Sequence, residues 1–203
     1  MSAGEQAPCE GVITSTWQMV DNQTAIVSNS GETDVLELGT PFWEIDVRVD
    51  CPNRSNFDVW KAFLARRWSF DLTFTMWHSL RSLPVDRTII SDTALTLYGV
   101  SEVNSQLSFT NFGQEKTATE GDMISYRTAD DGYWVGMVME TTQASSSGVA
   151  FVPVWPRPRT PHATDPAPRR IQALGEFRLS ERPRLRENFK DYSVQFKARQ
   201  VIR

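Results

Sequence analysis

Residues able to do chemistry are scattered through this 203-residue sequence, and the first question is whether any stand at a working spacing. Asp130 and Asp131 are adjacent carboxylates, and such pairs serve acid–base catalysis or bind divalent metal. Gly132 follows them between two apolar runs, so Asp-Asp-Gly reads instead as a hairpin turn. Asp122, within Glu120-Gly121-Asp122, likewise reads as a cap or a turn. Ser145, Ser146 and Ser147 are potential nucleophiles, but no G-x-S-x-G surrounds them and no apolar strand there feeds directly into a helix. His78 ends an aromatic run and His162 sits in a proline-rich stretch. Far apart and without cysteine neighbours, they do not suggest zinc, and nothing local joins either to a serine triad. There is no P-loop, no G-x-G-x-x-G and no H-E-x-x-H. Cys9 and Cys51 lack CxxC spacing; two unpaired thiols are expected, with pairing between them left open. The expectation is a protein that is not an enzyme, with no cofactor and no metal.

Tryptophan and arginine carry the remaining candidate chemistry. Exposed aromatics stack on sugars and single-stranded bases, whereas Trp and Arg together dominate protein–protein hot spots. Trp43, Trp60 and Trp134 fall within strand or helix patterns and read as core. Trp17, Trp77 and Trp155 are less constrained. Trp155 runs into Pro156-Arg157-Pro158-Arg159, and Arg169 and Arg170 close the same proline-rich stretch. The candidate subunit-interface residues are therefore Trp77, Trp155, Arg157, Arg159, Arg169 and Arg170.

Composition bounds the fold these residues sit on. Hydrophobic residues make up 40% and charged residues 23%, an ordinary globular profile. The length fits one domain with an elaboration or two small domains. With seven tryptophans and eleven phenylalanines, large rigid side chains should carry much of the packing. The opening MSAGEQAPCEG has no basic n-region and no apolar h-region, so it is not read as a signal peptide. No apolar run approaches the roughly 20 residues of a transmembrane helix. The net charge of −4 hides a split. Residues 1–156 hold 9 basic and 20 acidic side chains, a balance of −11, and residues 157–203 hold 12 basic and 5 acidic, a balance of +7. Such asymmetry suits a nucleic-acid tail or complementary surfaces in an assembly. Alternating apolar residues in the basic segment favour the assembly.

Strand signals dominate the elements. In FWEIDVRVD, Trp43, Ile45, Val47 and Val49 alternate with Glu44, Asp46, Arg48 and Asp50, and in YSVQFKARQV the apolar set is Tyr192, Val194, Phe196 and Ala198. This period-two pattern predicts half-buried strands of an antiparallel sheet. AIVSNSGETDVLEL, with Asn29-Ser30-Gly31 at its centre, predicts a hairpin. One helix is expected over 56–67, with Ser55 or Asn56 as N-cap and Asp58 in the first turn. Phe57, Trp60, Phe63 and Leu64 form its apolar stripe, and Arg66 and Arg67 its C-terminal charge. WSFDLTFTMW reads as a strand after it. From about Val85, TALTLYGV, QLSFTNF, DMISYRTA, YWVGMVMET and VAFVPVW are short strands separated by turns, which suggests a small barrel or sandwich. Pro156 to Arg170 contains five prolines and reads as an extended, partly exposed connector. GEFRLSE and the final strand then resume the alternation.

The order of these features resembles the distal tail and tail-tip (baseplate) proteins of long-tailed bacteriophages. FWEIDVRV is followed by FxxWKAFLARR, an aromatic strand, GDMI, a hairpin, SSSGVAFVP, PRPR, FRL and a terminal YSVQFKA. The likeness runs from about Trp43 to the C-terminus. PRPR stands where the family has PPLR, and Arg66-Arg67 where a glycine usually follows the first arginine. The resemblance implies a mainly β protein. Residues 1–84 and 173–203 would form a split, β-sandwich-like, ring-forming domain with one packed helix, and 85–172 an inserted small β-barrel ending in the Pro/Arg-rich connector. It implies a structural virion component, made in the host bacterial cytoplasm, forming a homo-oligomeric and commonly hexameric ring. That ring would join the tail tube protein to the tail hub and host-recognition apparatus, and DNA would pass through without specific binding or membrane insertion. The acidic balance is expected to face the channel and repel the genome. Three alternatives stand beside this: a carbohydrate-binding module with Trp77 and Trp155 as platforms, another tail-ring or connector protein, and a nucleic-acid binder acting through the basic C-terminal segment.

Overall fold

The computed structural model describes residues 5–21, 23–27, 33–37, 39–69, 71–158, 162–188 and 191–201. The chain is mainly β, with one α-helix among the described residues, as the alternating pattern predicts. Strands β1 (Glu5–Gln6), β2 (Val12–Val20), β3 (Gln23–Val27), β4 (Thr33–Glu37) and β5 (Phe42–Cys51) precede helix α1 (Arg54–Ser69) and β6 (Phe74–Trp77). Then come β7 (Thr96–Ser101), β8 (Gln106–Thr110), β9 (Thr117–Ala118), β10 (Met123–Arg127), β11 (Tyr133–Val138), β12 (Thr142–Gln143) and β13 (Ala150–Trp155). The chain closes with β14 (Leu174–Leu179), β15 (Arg184–Asn188) and β16 (Asp191–Gln200).

The first sheet runs β1-β6-β14-β16-β5-β2, and β15 adds to the same side of β16 as β14. All its ladders are antiparallel except β1 with β6. The C-terminal strand lies at its centre, with Phe196 opposite Val47 and Ala198 opposite Ile45. Both strands alternate as predicted: Ile45, Val47, Val49, Val194, Phe196 and Ala198 are buried. Strands β3 and β4 pair as a separate antiparallel hairpin. Its predicted turn at Asn29-Ser30-Gly31 lies outside the described residues.

Helix α1 extends two residues beyond 56–67 at each end. Its cap is Asn53, whose Oδ1 accepts from the backbone N–H of Asn56 at 2.9 Å, and neither Ser55 nor Asn56. Asp58 therefore falls beyond the first turn and pairs with Arg54 at 3.8 Å, an exposed i,i+4 contact. The stripe Phe57, Trp60, Phe63 and Leu64 is buried as expected, and Trp60 and Phe63 pack on Phe196 and Phe74. The run expected as a strand after the helix starts late. Trp68 and Ser69 complete the last helical turn, and β6 begins at Phe74.

The second sheet runs β10-β11-β13-β8-β7, and β9 and β12 form a two-residue ribbon beside it. The expected barrel does not close among the described residues, because no ladder joins β7 to β10. The edge of β10 that closure would need is taken by the proline-rich connector. Ser125 exchanges backbone hydrogen bonds with Arg169 (2.9 and 2.8 Å), and the N–H of Arg127 donates to the carbonyl of Pro166 (2.6 Å). Covering the edge in this way removes an exposed row of backbone donors and acceptors. The connector is extended, as expected, but it alternates: Pro166, Pro168 and Arg170 are buried while Asp165 and Ala167 are exposed.

Candidate functional site

Several of the residues singled out for catalysis have structural jobs. Asp130 and Asp131 occupy the β10–β11 turn. The Asp131 N–H donates to Thr128 O at 3.1 Å, and its carboxylate pairs with Arg127 at 2.6 Å. Ser145 and Gly148 close the β12–β13 connection through Gly148 N–H to Ser145 O at 2.8 Å. Asp122 is buried and accepts from the N–H groups of Val85 (2.8 Å) and Thr119 (3.0 Å). Two further aspartates, unremarkable in the sequence, do the same. Asp86 accepts from the Thr88 hydroxyl and from the N–H groups of Thr88 and Thr117, and these hydrogen bonds, the hydroxyl's above all, hold its carboxyl below the usual range; Asp92 accepts from the N–H of Arg170 and of Ile171. Three carboxylates thus tie the passage between the two sheets to loops far along the chain. Cys9 and Cys51 are both free thiols, the first exposed and the second buried.

The candidate interface residues separate into two groups. Trp155 packs edge-on against Trp43 with ring centroids 5.0 Å apart, bringing the end of β13 onto the apolar face of the first sheet. Trp77 is half-buried at the end of β6, beside Ala7, Pro8 and Ile13. Arg170 is 6% exposed and turned inward. Its Nε donates to Asp92 at 2.9 Å, its Nη1 to the carbonyl of Phe112 at 2.7 Å, and its guanidinium lies 4.5 Å from the Phe112 ring centre. It clamps this chain to itself and is not available to a neighbour. Arg169 is half-buried in the connector ladder, and Arg157 is exposed beside the buried Pro156 and Pro158. Arg159 lies outside the described residues.

The apolar face of the first sheet is covered in two parts. Helix α1 lies over one part, and Met123, Val135, Met137 and Trp155 of the second sheet complete the same core. Gln200 bridges the two sheets: its Oε1 accepts from Trp43 N–H (3.2 Å) and its Nε2 donates to Val135 O (3.1 Å). Ser125 Oγ accepts from Leu174 N–H at 2.9 Å. Gly175 permits this approach, because a Cβ there would stand 2.5 Å from Val135 Cγ1 and 2.7 Å from the Phe177 ring. Trp17 joins the same junction, stacked on His78 at 5.2 Å and edge-on to Phe177 at 5.1 Å.

The opposite face of the first sheet is polar. Register places Arg199 beside Glu44 and Gln18, Lys197 beside Asp46 and Thr16, and Arg184 beside Gln195, Arg48 and Thr14. Basic and acidic side chains are therefore interleaved on this face, in contrast to the segregation seen along the sequence. Strand β2 forms one lateral edge, and β1 together with β15 forms the other. Sequence reasoning missed β15, because RLREN has the composition of a loop; the free edge of β16 makes it a strand. Among the described residues no cluster of three or more potential metal ligands occurs, and no helix is long and apolar enough to cross a membrane. Neither a protein-family model nor a curated protein matches the chain.

Proposed function

We propose that this chain is a structural protein of a bacteriophage tail tip. Subunits associate in a closed ring, commonly of six, that joins the tail tube protein to the hub and host-recognition apparatus and lets the genome pass. The observation that carries this reading is the arrangement of the strands bearing the family-like motifs. The FWEIDVRV and YSVQFKA strands lie side by side at the centre of one sheet, the FxxWKAFLARR helix covers part of it, and the GDMI-to-PRPR segment supplies three of the five strands of a second sheet packed against it. The lateral edges, β2 on one side and β1 with β15 on the other, leave the first sheet open on both sides, and head-to-tail association into a ring would cover both. Function in this reading is assembly, with no chemistry on a substrate. Negative-stain microscopy with native mass measurement on the purified chain tests it, and six-fold rings are the expected result. A protein that stays monomeric alone and when mixed with detached tail tubes overturns it.

A second reading, binding of a glycan, has one specific support. Tyr98 and Phe151 are each 50% exposed on the outer face of the second sheet, 6.5 Å apart, with Ser108 between their strands. Trp77 and Trp155, the platforms suggested by sequence, are both half-buried. Glycan-array binding by a monomer, abolished by Tyr98→Ala, would favour this reading over the ring.

A further inference from the structure

We infer that the cleft where β5, β16 and β15 meet on the polar face of the first sheet is a binding site for a compact, phosphate-bearing small molecule. The cleft has a volume of about 210 Å³ and is lined by Arg48, Arg184, Arg186, Ser193 and Gln195, with Val194 and Leu185 contributing at its floor. Three guanidiniums thus come together from two strands, β5 and β15, across the intervening β16. The five-residue β15–β16 ladder fixes Arg184 and Arg186, and the β16–β5 ladder fixes Arg48 opposite Gln195.

The charge balance within the cleft is incomplete. Arg48 is held by Asp50 at 3.1 Å and Arg186 by Asp191 at 3.3 Å, whereas Arg184 has no ion pair among the described residues. The row Arg184, Gln195, Arg48, Thr14 contains no carboxylate. Like charges brought together on a sheet face destabilise it unless an anion lies between them. A terminal phosphate offers three oxygens to three guanidinium forks, while a carboxylate offers two. Ser193 and Gln195 add neutral hydrogen-bonding groups for the remainder of the ligand.

Size and surroundings select a small ligand over a polymer. The volume falls below that of a pocket for a drug-sized molecule. Asp50, opposite Ser193, is neutralised by Arg48, whereas Glu44 and Asp46 occupy the same face further along β5 and would repel a nucleic-acid backbone continuing out of the cleft.

Isothermal titration of the full chain with pyrophosphate, at low and at physiological ionic strength, tests the inference. Saturable binding is expected, weakened about tenfold by Arg184→Gln while the denaturation midpoint of the unliganded protein is not lowered. Arg184→Lys, which keeps the charge but loses the fork, should fall between the two. Three results would each overturn the proposal: no saturable heat at millimolar pyrophosphate, an affinity indifferent to Arg184→Gln, or tighter binding of a single-stranded oligonucleotide than of pyrophosphate.

Discussion

Arg170 and Asp92, 78 residues apart in sequence, form an enclosed ion pair, with Nε and Oδ1 2.9 Å apart and side chains only 6% and 14% exposed. The same carboxylate accepts the backbone N–H groups of Arg170 and Ile171, so one aspartate fixes both the side chain and the main chain where the connector returns toward β14. Removing the cation leaves a largely buried carboxylate with backbone donors alone. Arg170→Leu should cost about 3 kcal/mol, read as a lowered denaturant midpoint, with Asp92→Asn costing less. A shift under about 1 kcal/mol would show that the pair is not the clamp described here.

Gly175 sets how closely the two sheets approach. Gly175→Ala drives a methyl into Val135 and the Phe177 ring and should destabilise by about 1–3 kcal/mol. Pairing it with Val135→Ala removes the nearest obstacle, so the double variant should lose less than the sum of the two single changes. Strict additivity in urea denaturation would argue against the close approach.

His78 carries a pH signature. Burial, and then the Arg81 charge, lower its pKa from 6.5 to about 4, and its Nδ1 accepts from the Leu80 N–H at 3.2 Å. The folded protein binds this proton more weakly than the unfolded chain does. The stability His78 provides is therefore fully present above pH 6.5 and is lost as pH falls through about 4. His78→Gln should flatten the difference in urea midpoint between neutral pH and pH 4.5. Trp17 fluorescence should report the change, because its ring stacks on His78. An identical pH dependence in the two proteins would dismiss this assignment.

Asn53 is the helix cap. Asn53→Ala should cost about 1 kcal/mol, whereas Asp58→Ala, which removes an exposed pair in the second turn, should cost a few tenths. The reverse order in thermal unfolding would restore Asp58 to the first-turn role that its position suggested.

Much of the fold was legible because its strongest signals are local. Strict alternation in Phe42–Cys51 and Asp191–Gln200 fixed two central strands and the face each buries, and the spacing of Phe57, Trp60, Phe63 and Leu64 fixed the helix and its buried side. Asp130-Asp131-Gly132 and Ser145 to Gly148 declared themselves as turns, because glycine and short polar side chains relieve the same backbone constraints wherever they occur.

Tertiary structure decided what depends on partners distant in sequence. Ser15 interrupts the apolar face of β2 and hides that strand from pattern reading, yet it is buried with its hydroxyl 2.8 Å from Ser79. RLREN becomes a strand only because β16 offers it an edge. The proline-rich connector takes the edge of β10 that would have closed a barrel. Arg170, a surface residue by type, is drawn inward by Asp92 and Phe112. The sequence by itself determined which residues prefer a buried face and where the chain turns, since those follow from side-chain polarity and backbone freedom at neighbouring positions. Which edges pair, and which charges meet, was decided only when segments up to 157 residues apart, such as Trp43 and Gln200, came into hydrogen-bonding range.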